Sequence, residues 1–294
     1  MASASGEARG AVTLRIGWFA TGRGEGSPKL LRAAVDAIRS GALDAEIAFV
    51  FCNRERGEYE ATDRFLDLVD ASGVPLLTLS SRAFRKERGG ERSRPGEPLP
   101  AWRVEYDRAV MDLVAPYRFD VGMLAGYMLI FTGDAARAHA FLNLHPAEPG
   151  GPTGTWEEVV RQLIDARATR SGVMVHLATE ELDRGPPVAY CTFSLRGPAF
   201  DASWDAIDGR AASETQAGEG EDNDLFRQIR RHGAARELPL VVGTLQAFAT
   251  RRVRIDGSRV VDEAGRELER GLDLTVEVDA AVAAVLAEGS PEME

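Results

Sequence analysis

The feature that most limits how this chain can fold lies in its first 124 residues. Short apolar runs alternate there with longer stretches whose apolar residues recur every three or four positions. Glu46 to Cys52 is apolar throughout after its first residue, as a parallel strand buried on both faces requires. Thr13 to Ala20 reads as an earlier strand, Val74 to Leu79 as a later one, and Phe119 to Leu124 as a fourth. Between them, Lys29 to Ile38 places Leu30, Leu31, Ala34, Val35 and Ile38 at helical spacing, with Pro28 where a first-turn proline is tolerated and Gly41 as a stop. Thr62 to Asp70 and Trp102 to Ala115 read as further helices. Strand and helix in alternation predict an α/β fold: an open, Rossmann-like, mostly parallel sheet with helices on both faces. Ligands of such sheets lie at the carboxyl ends of the strands. The loop after the first strand and the segment after Leu124 are therefore the first places to search.

The rest of the chain sets the boundaries. Residues 1–11 are small and polar, lack the apolar core of a signal peptide, and read as a disordered leader. A single domain is expected over 12–286, with a frayed tail at 287–294. Residues 80–100 gather Arg82, Arg85, Lys86, Arg88, Arg92 and Arg94 among Gly and Pro, and read as a basic loop insert. It is either a solvated face or a flap attracting an anionic substrate. Gly172 to Leu177 and Pro187 to Phe193 read as two strands joined through a turn at Asp183, and 205–224 as an acidic flexible loop. Leu225 to Phe248 reads as helical in its first part with a break near Pro239. Arg252 to Ile255 and Arg259 to Val261 form a hairpin at Asp256-Gly257, and a C-terminal helix completes the domain.

Composition excludes several functions. A net charge of -11 argues against a nucleic-acid partner. No apolar stretch is long enough to span a bilayer, so no membrane partner is expected, and the chain reads as cytoplasmic. Cys52 and Cys191 sit in strand-like runs and read as core thiols. Two cysteines and four histidines show no metal-ligand spacing, so no metal is expected.

Three features carry chemistry. Gly22, Gly24 and Gly26 lie between a strand and a helix, where backbone N–H groups hold a phosphate or simply form a tight turn. The loop lacks the lysine placement of a nucleoside-triphosphate loop. Asn143 and His145, two apart in an extended segment, share one face; an amide donor beside an imidazole suits a reaction that develops an oxyanion. Asp183 sits in a Gly/Pro-flanked turn.

The order of these segments adds a further signal. Asp120-Val-Gly-Met-Leu-Ala-Gly-Tyr-Met128 precedes Leu142-Asn-Leu-His-Pro146. Gly172-Val-Met-Val-His176 then runs into Glu181-Leu-Asp-Arg-Gly-Pro-Pro-Val188. Over residues 13–255 this resembles the folate-dependent formyltransferases, most closely the branch acting on glycinamide ribonucleotide. The resemblance implies a formyl group taken from 10-formyltetrahydrofolate as co-substrate and passed to a phosphorylated or sugar-linked amine. Asn143 and His145 would stabilise the oxyanion, and Asp183 would set the protonation of His145. His176 matches a supporting histidine. Leu124, Ala125, Gly126, Tyr127, Met128, Leu129 and Ile130 match the folate wall. Gly24, Gly26, Ser27 and Lys29 match the phosphate loop, and Arg103 an arginine near the substrate phosphate. A homodimer is an admissible assembly.

Four departures bear on the acceptor. Glu25 and Pro28-Lys29 alter the phosphate loop. Ala147 to Pro152 replaces the family's Ser-Leu-Leu-Pro. Leu129 stands where the wall carries an arginine. Ala234 and Ala235 fall where a substrate-binding glutamate precedes the late proline, and Glu237 is misplaced for that role. A different acceptor, such as an amino sugar or specialised metabolite, and hydrolysis of the formyl donor are therefore the alternative readings.

Overall fold

The computed structural model describes residues 13–93, 97–179, 181, 183–208 and 223–287. The expectations for 1–11, for 288–294 and for most of 205–224 lie outside the described residues. The alternating pattern produces β1 (Leu14–Ala20), α1 (Gly26–Arg39), β2 (Ala45–Cys52), α2 (Glu60–Ser72) and β3 (Leu76–Thr78). The chain continues through α3 (Ser81–Glu87), α4 (Ala101–Val114), β4 (Val121–Leu124), α5 (Gly133–Ala138), β5 (Phe141–His145) and α6 (Trp156–Asp165). It closes with β6 (Arg170–Leu177), β7 (Pro187–Ser194), α7 (Asp201–Asp208), α8 (Asp224–Ala249), β8 (Val253–Asp256), β9 (Arg259–Asp262), β10 (Leu272–Asp273) and α9 (Thr275–Ala287).

Eight strands form one sheet in the order β10-β7-β6-β5-β4-β1-β2-β3, and β8 and β9 form the expected hairpin. Pairing is parallel from β3 across to β5; β6 runs antiparallel to both β5 and β7. The side-chain alternation of β1 divides the core. Leu14, Ile16, Trp18 and Ala20 pack on one face with α1, α2, α8 and α9, whereas Phe19 joins Phe49, Phe51, Phe84, Trp102 and Tyr106 on the other. Helices thus cover both faces. From β1 the chain builds β2 and β3 to one side, then returns to build β4 and β5 on the other. That reversal makes the crevice beyond the carboxyl ends of β1 and β4 the topological switch point.

Three expectations change. The basic stretch contains a helix, α3, because the Ser80 side chain accepts from the Ala83 N–H at 3.0 Å and Phe84 packs edge-on to Tyr106 with ring centroids 5.2 Å apart. There is no break at Pro239: α8 runs 26 residues through it. The proline removes one helical N–H, but Leu240, Val241, Thr244, Leu245 and Ala247 beyond it are all buried, and their packing holds the helix together. The hairpin loop is Gly257-Ser258 rather than Asp256-Gly257, since Asp256 pairs with Arg259 across the ladder.

Candidate active site

Strand β5 lies between β4 and β6, so Asn143 is opposite Leu124 on one side and His176 on the other. The next same-face residue, His145, ends the strand at the carboxyl edge. The Asn143 amide donates from Nδ2 to His176 Nε2 at 3.2 Å, and the His176 Nδ1–H donates to the Leu177 carbonyl at 2.9 Å. This backbone bond selects the tautomer of His176 that leaves Nε2 as an acceptor. A register shift between Val175 and His176 marks a bulge against β7 where the imidazole is aimed.

Asp183 reaches the same place from the β6–β7 connection. Its Oδ2 is 3.5 Å from His145 Nδ1 and 3.4 Å from the Gly154 N–H, and its Oδ1 is 3.7 Å from His176 Nε2. The turn is tightly determined. Asp183 has φ of 55°, in the left-handed region, and a Cβ at Gly185 would come within 1.7 Å of the Leu177 carbonyl oxygen. The side chains of His145, His176 and Asp183 are 2%, 2% and 6% exposed, so the charges in this cluster act with little water between them.

The protonation states follow from these contacts. The His145 Nε2–H donates to the Pro152 carbonyl at 2.8 Å, leaving Nδ1 toward Asp183. Burial pulls the His145 pKa below its ordinary value; the Pro152 carbonyl and the Asp183 carboxylate oppose this only in part, and His176 adds to it. Burial pushes Asp183 upward, but the proximity of the His176 and His145 imidazoles and the Gly154 N–H outweigh it and hold Asp183 below the usual carboxylate range. At neutral pH the cluster is a neutral imidazole beside an ionised carboxylate.

The other expected residues fall into two groups. The Leu124–Ile130 segment lies at the switch point, tied to the end of β1. The Ala125 N–H donates to the Phe19 carbonyl, the Thr21 N–H to the Gly126 carbonyl, and the Met128 N–H to Thr21 Oγ1. Leu124, Ala125 and Tyr127 are buried, Leu129 and Ile130 partly so, and Gly126 and Met128 are open to solvent. Gly24 and Gly26 also face open space, with Lys29 half-buried behind them.

Ser27 and Arg103 are placed differently from expectation. The Ser27 hydroxyl is buried and donates to the Ala125 carbonyl at 2.9 Å, so it joins α1 to the wall rather than offering itself to a ligand. Arg103, expected at a substrate phosphate, is 1% exposed. Its guanidinium donates to the Ile130 carbonyl at 2.6 Å and pairs with Asp107 at 3.4 Å, while Asp107 accepts from the Thr132 N–H at 2.7 Å. This pair clamps the end of the wall. Among the described residues no cluster of three or more His, Cys, Asp or Glu could hold a metal ion, and no helix is long and apolar enough to cross a membrane. The contacts that sequence reading missed are backbone groups: the Pro152 and Leu177 carbonyls and the Gly154 N–H. Their one visible signal was the altered Gly/Pro-rich loop after His145.

The sequence pattern described as "Formyl transferase" matches residues 23–194. The chain is 28% identical over 200 residues to phosphoribosylglycinamide formyltransferase of Escherichia coli (strain K12), a match covering 65% of this chain and 79% of the relative. It is 25% identical over 162 residues to the trifunctional purine biosynthetic protein adenosine-3 of Bos taurus; that match covers 54% of this chain and only 14% of the relative's length. Among solved structures, the phosphoribosylglycinamide formyltransferase of Coxiella burnetii superposes with a TM-score of 0.62 at 19% identity, covering 89% of this chain and 99% of that one. A formyltetrahydrofolate deformylase from Pseudomonas syringae superposes with a TM-score of 0.56 at 19% identity, covering 86% and 66%. These structural likenesses establish a shared fold.

Proposed function

The chain belongs to the formyl transferase family, and from that premise we propose that it transfers the formyl group of 10-formyltetrahydrofolate to the amine of glycinamide ribonucleotide. The observation that carries the reading is the close grouping of Asn143, His145, His176 and Asp183 beside the switch-point crevice, with Asn143 hydrogen-bonded to His176 and the Asp183 carboxylate 3.5 Å from His145 and 3.7 Å from His176. The Leu124–Ile130 wall takes the pteridine of the donor, and the open Gly24–Gly26 loop takes the phosphate of the acceptor.

The chemistry follows from the protonation states. The amine nitrogen attacks the formyl carbon, and the carbonyl electrons move onto oxygen. One Asn143 N–H is engaged by His176; the second donates to that oxyanion. Neutral His145 accepts the proton lost by the amine at Nδ1, directly or through a water. Asp183, already ionised, stabilises the imidazolium that results. The imidazolium returns the proton to the folate nitrogen as its bond to the formyl carbon breaks. Formamide and tetrahydrofolate leave, and the enzyme regains its starting charge.

A second acceptor reading has a specific observation behind it. The Ser27 hydroxyl is engaged with Ala125, Pro28 offers no N–H, and Ala234 replaces the expected glutamate. A phosphate and ribose therefore find fewer donors and acceptors here, which favours a different amine joined by the same chemistry. The deciding experiment follows tetrahydrofolate release with and without glycinamide ribonucleotide. Release that requires this acceptor supports the proposal. Release with another amine alone replaces the acceptor, and release with no acceptor makes the protein a hydrolase.

A further inference from the structure

The backbone groups that hold His145 and Asp183 come from one loop. The Pro152 carbonyl accepts from His145 Nε2 at 2.8 Å, and the Gly154 N–H is 3.4 Å from Asp183 Oδ2. No substitution deletes a main-chain carbonyl, but its place depends on what holds the loop. Gly150 and Gly151 lie between the end of β5 and Pro152, and glycine leaves the backbone a wide choice of conformation. Such a loop needs an anchor on each side. On the far side α6 supplies it, where Thr155 and Glu158 form a capping box. On the near side the anchor is Glu148, within the stretch that departs from the family's sequence.

Strand β6 and the C-terminal segment both meet Glu148. Its carboxylate accepts from Arg170, the first residue of β6, through Nε at 3.0 Å and Nη2 at 2.5 Å, a forked pair. Arg270, in the β9–β10 connection, is 3.6 Å from the same carboxylate. The Glu148 side chain is 17% exposed against 54% and 59% for the two arginines, so the carboxylate is the inner member of the group. The seat is shaped for it. A Cβ at Gly172 of β6 would stand 2.9 Å from Glu148 Cβ, and Ala147 belongs to the buried cluster that holds Val159 and Leu163 of α6. Arg270 is placed just as firmly. Gly271 has φ of 79°, a Cβ there would stand 2.9 Å from the Pro187 carbonyl, and Leu272 pairs with Ala189 of β7. Arg270 lies beyond residues 23–194, which carry the formyl transferase pattern, so the contact ties a part of the chain outside that pattern to the catalytic loop.

We propose that Glu148, clamped by Arg170 and Arg270, is a positioning residue that holds the 147–154 loop over His145 and Asp183, and that the C-terminal segment thereby takes part in the reaction. The proposal rests on the formyl-transfer reading for its effect on rate, and on geometry alone for its effect on the imidazole. His145 is faced by Asp183 from the β6–β7 connection, by His176 from β6 and by the Pro152 carbonyl from its own loop. Burial is the largest influence on its titration. A loop that drifts away admits water and lets His145 titrate closer to its ordinary 6.5. The test follows the His145 ring by NMR against pH, assigned with His145→Gln, in the wild type, Glu148→Gln, Arg170→Gln and the double variant. Direct charge effects would send the two single variants in opposite directions, because losing a carboxylate lowers the pKa of a nearby imidazole and losing a cation raises it. Loss of the loop's position moves both the same way. The midpoint should rise toward 6.5 in each single variant and no further in the double. With 10-formyltetrahydrofolate and glycinamide ribonucleotide, kcat should fall about tenfold in each single variant, KM should stay within about twofold, and the double should be no more than about twofold worse than either. Arg270→Gln, which removes the longer and more exposed contact, should give a smaller change of the same sign. Midpoints that stay at the wild-type value or move in opposite directions, or kcat losses that multiply in the double variant, overturn the proposal. Absence of turnover in the wild type, with the imidazole shifting as expected, overturns the formyl-transfer reading and leaves the positioning role standing.

Discussion

At His145 the two ring nitrogens face different acceptors, and this asymmetry fixes what the residue can do. Nε2–H is held by a backbone carbonyl that no side-chain substitution removes, and Nδ1 faces an ionised carboxylate. Because burial lowers the His145 pKa, the base form is the resting form at neutral pH. Activity should therefore fall as pH drops through a value below 6.5, the ordinary pKa of histidine, and should show no such loss at or above it. In Asp183→Asn the carboxylate that raises the pKa is gone, so the acid limb should move to still lower pH and kcat should fall at least about a hundredfold. His145→Ala should produce a loss of similar size. A kcat/KM profile that falls through pH 7 or higher on its acid side, or near-normal turnover in either variant, would show the residues have other roles. The side-chain part of this cluster was legible in the sequence, since the two-residue spacing of Asn143 and His145 on a strand already implied a shared face. Pro152, Leu177 and Gly154 contribute through main-chain atoms, which every residue possesses, so no residue identity announced them.

Among the elements, the wall and the β6–β7 turn show how local structure holds the site. Arg103 and Asp107 form a buried pair that secures residues 130–132. Arg103→Ala would leave the Asp107 carboxylate buried without its partner, and should destabilise the protein by about 3–5 kcal/mol in urea denaturation. A midpoint close to wild type would mean that the arginine is not a clamp. At the turn, Gly185→Ala places a methyl carbon on the Leu177 carbonyl oxygen, the atom that also orients His176. It should reduce stability by about 2–3 kcal/mol and lower kcat together with it. Unchanged turnover would show that the turn does not position Asp183. The sequence could locate these segments, but it could not tell a ligand-facing arginine from a buried one. Both occupy the same helical register, and what separates them is the partner carboxylate four residues on. The uninterrupted helix through Pro239 escaped the sequence reading for a similar reason: the proline is a local signal, and the packing that overrides it is tertiary.

On the scale of the whole molecule, the fold was the most legible feature. Parallel strands buried on both faces write apolar runs that alternate with helical spacing, which predicts the parallel sheet; the order β3-β2-β1-β4-β5 is not written there, because the chain between β3 and β4 returns past β2 and β1 to the far side of β1. The antiparallel β6 beside the catalytic strand was foreseen only as one half of a strand pair. Stability should also respond globally to acid. His232 stacks on Phe193 and packs at a tilt against Phe200, and burial together with Arg236 and Arg231 lowers its pKa to about 4. The unfolded chain takes up a proton near 6.5 that the folded chain accepts only near 4, so stability is full above that window and is lost as pH falls through it. With solvent screening the loss is on the order of 1–2 kcal/mol, and Tm should fall between those pH values less steeply in His232→Gln than in the wild type. Parallel Tm curves would place the acid sensitivity elsewhere.

The central claim is that the Asn143–His145–Asp183 cluster passes a formyl carbon from a folate to an amine. The most direct measurement supplies 10-formyltetrahydrofolate with an isotopically labelled formyl carbon, together with glycinamide ribonucleotide, and follows the label by NMR. The label is predicted to appear as a formamide on the acceptor at the rate of tetrahydrofolate release, and to remain on the donor in Asp183→Asn. Label recovered as formate, or transferred undiminished by Asp183→Asn, would contradict the account.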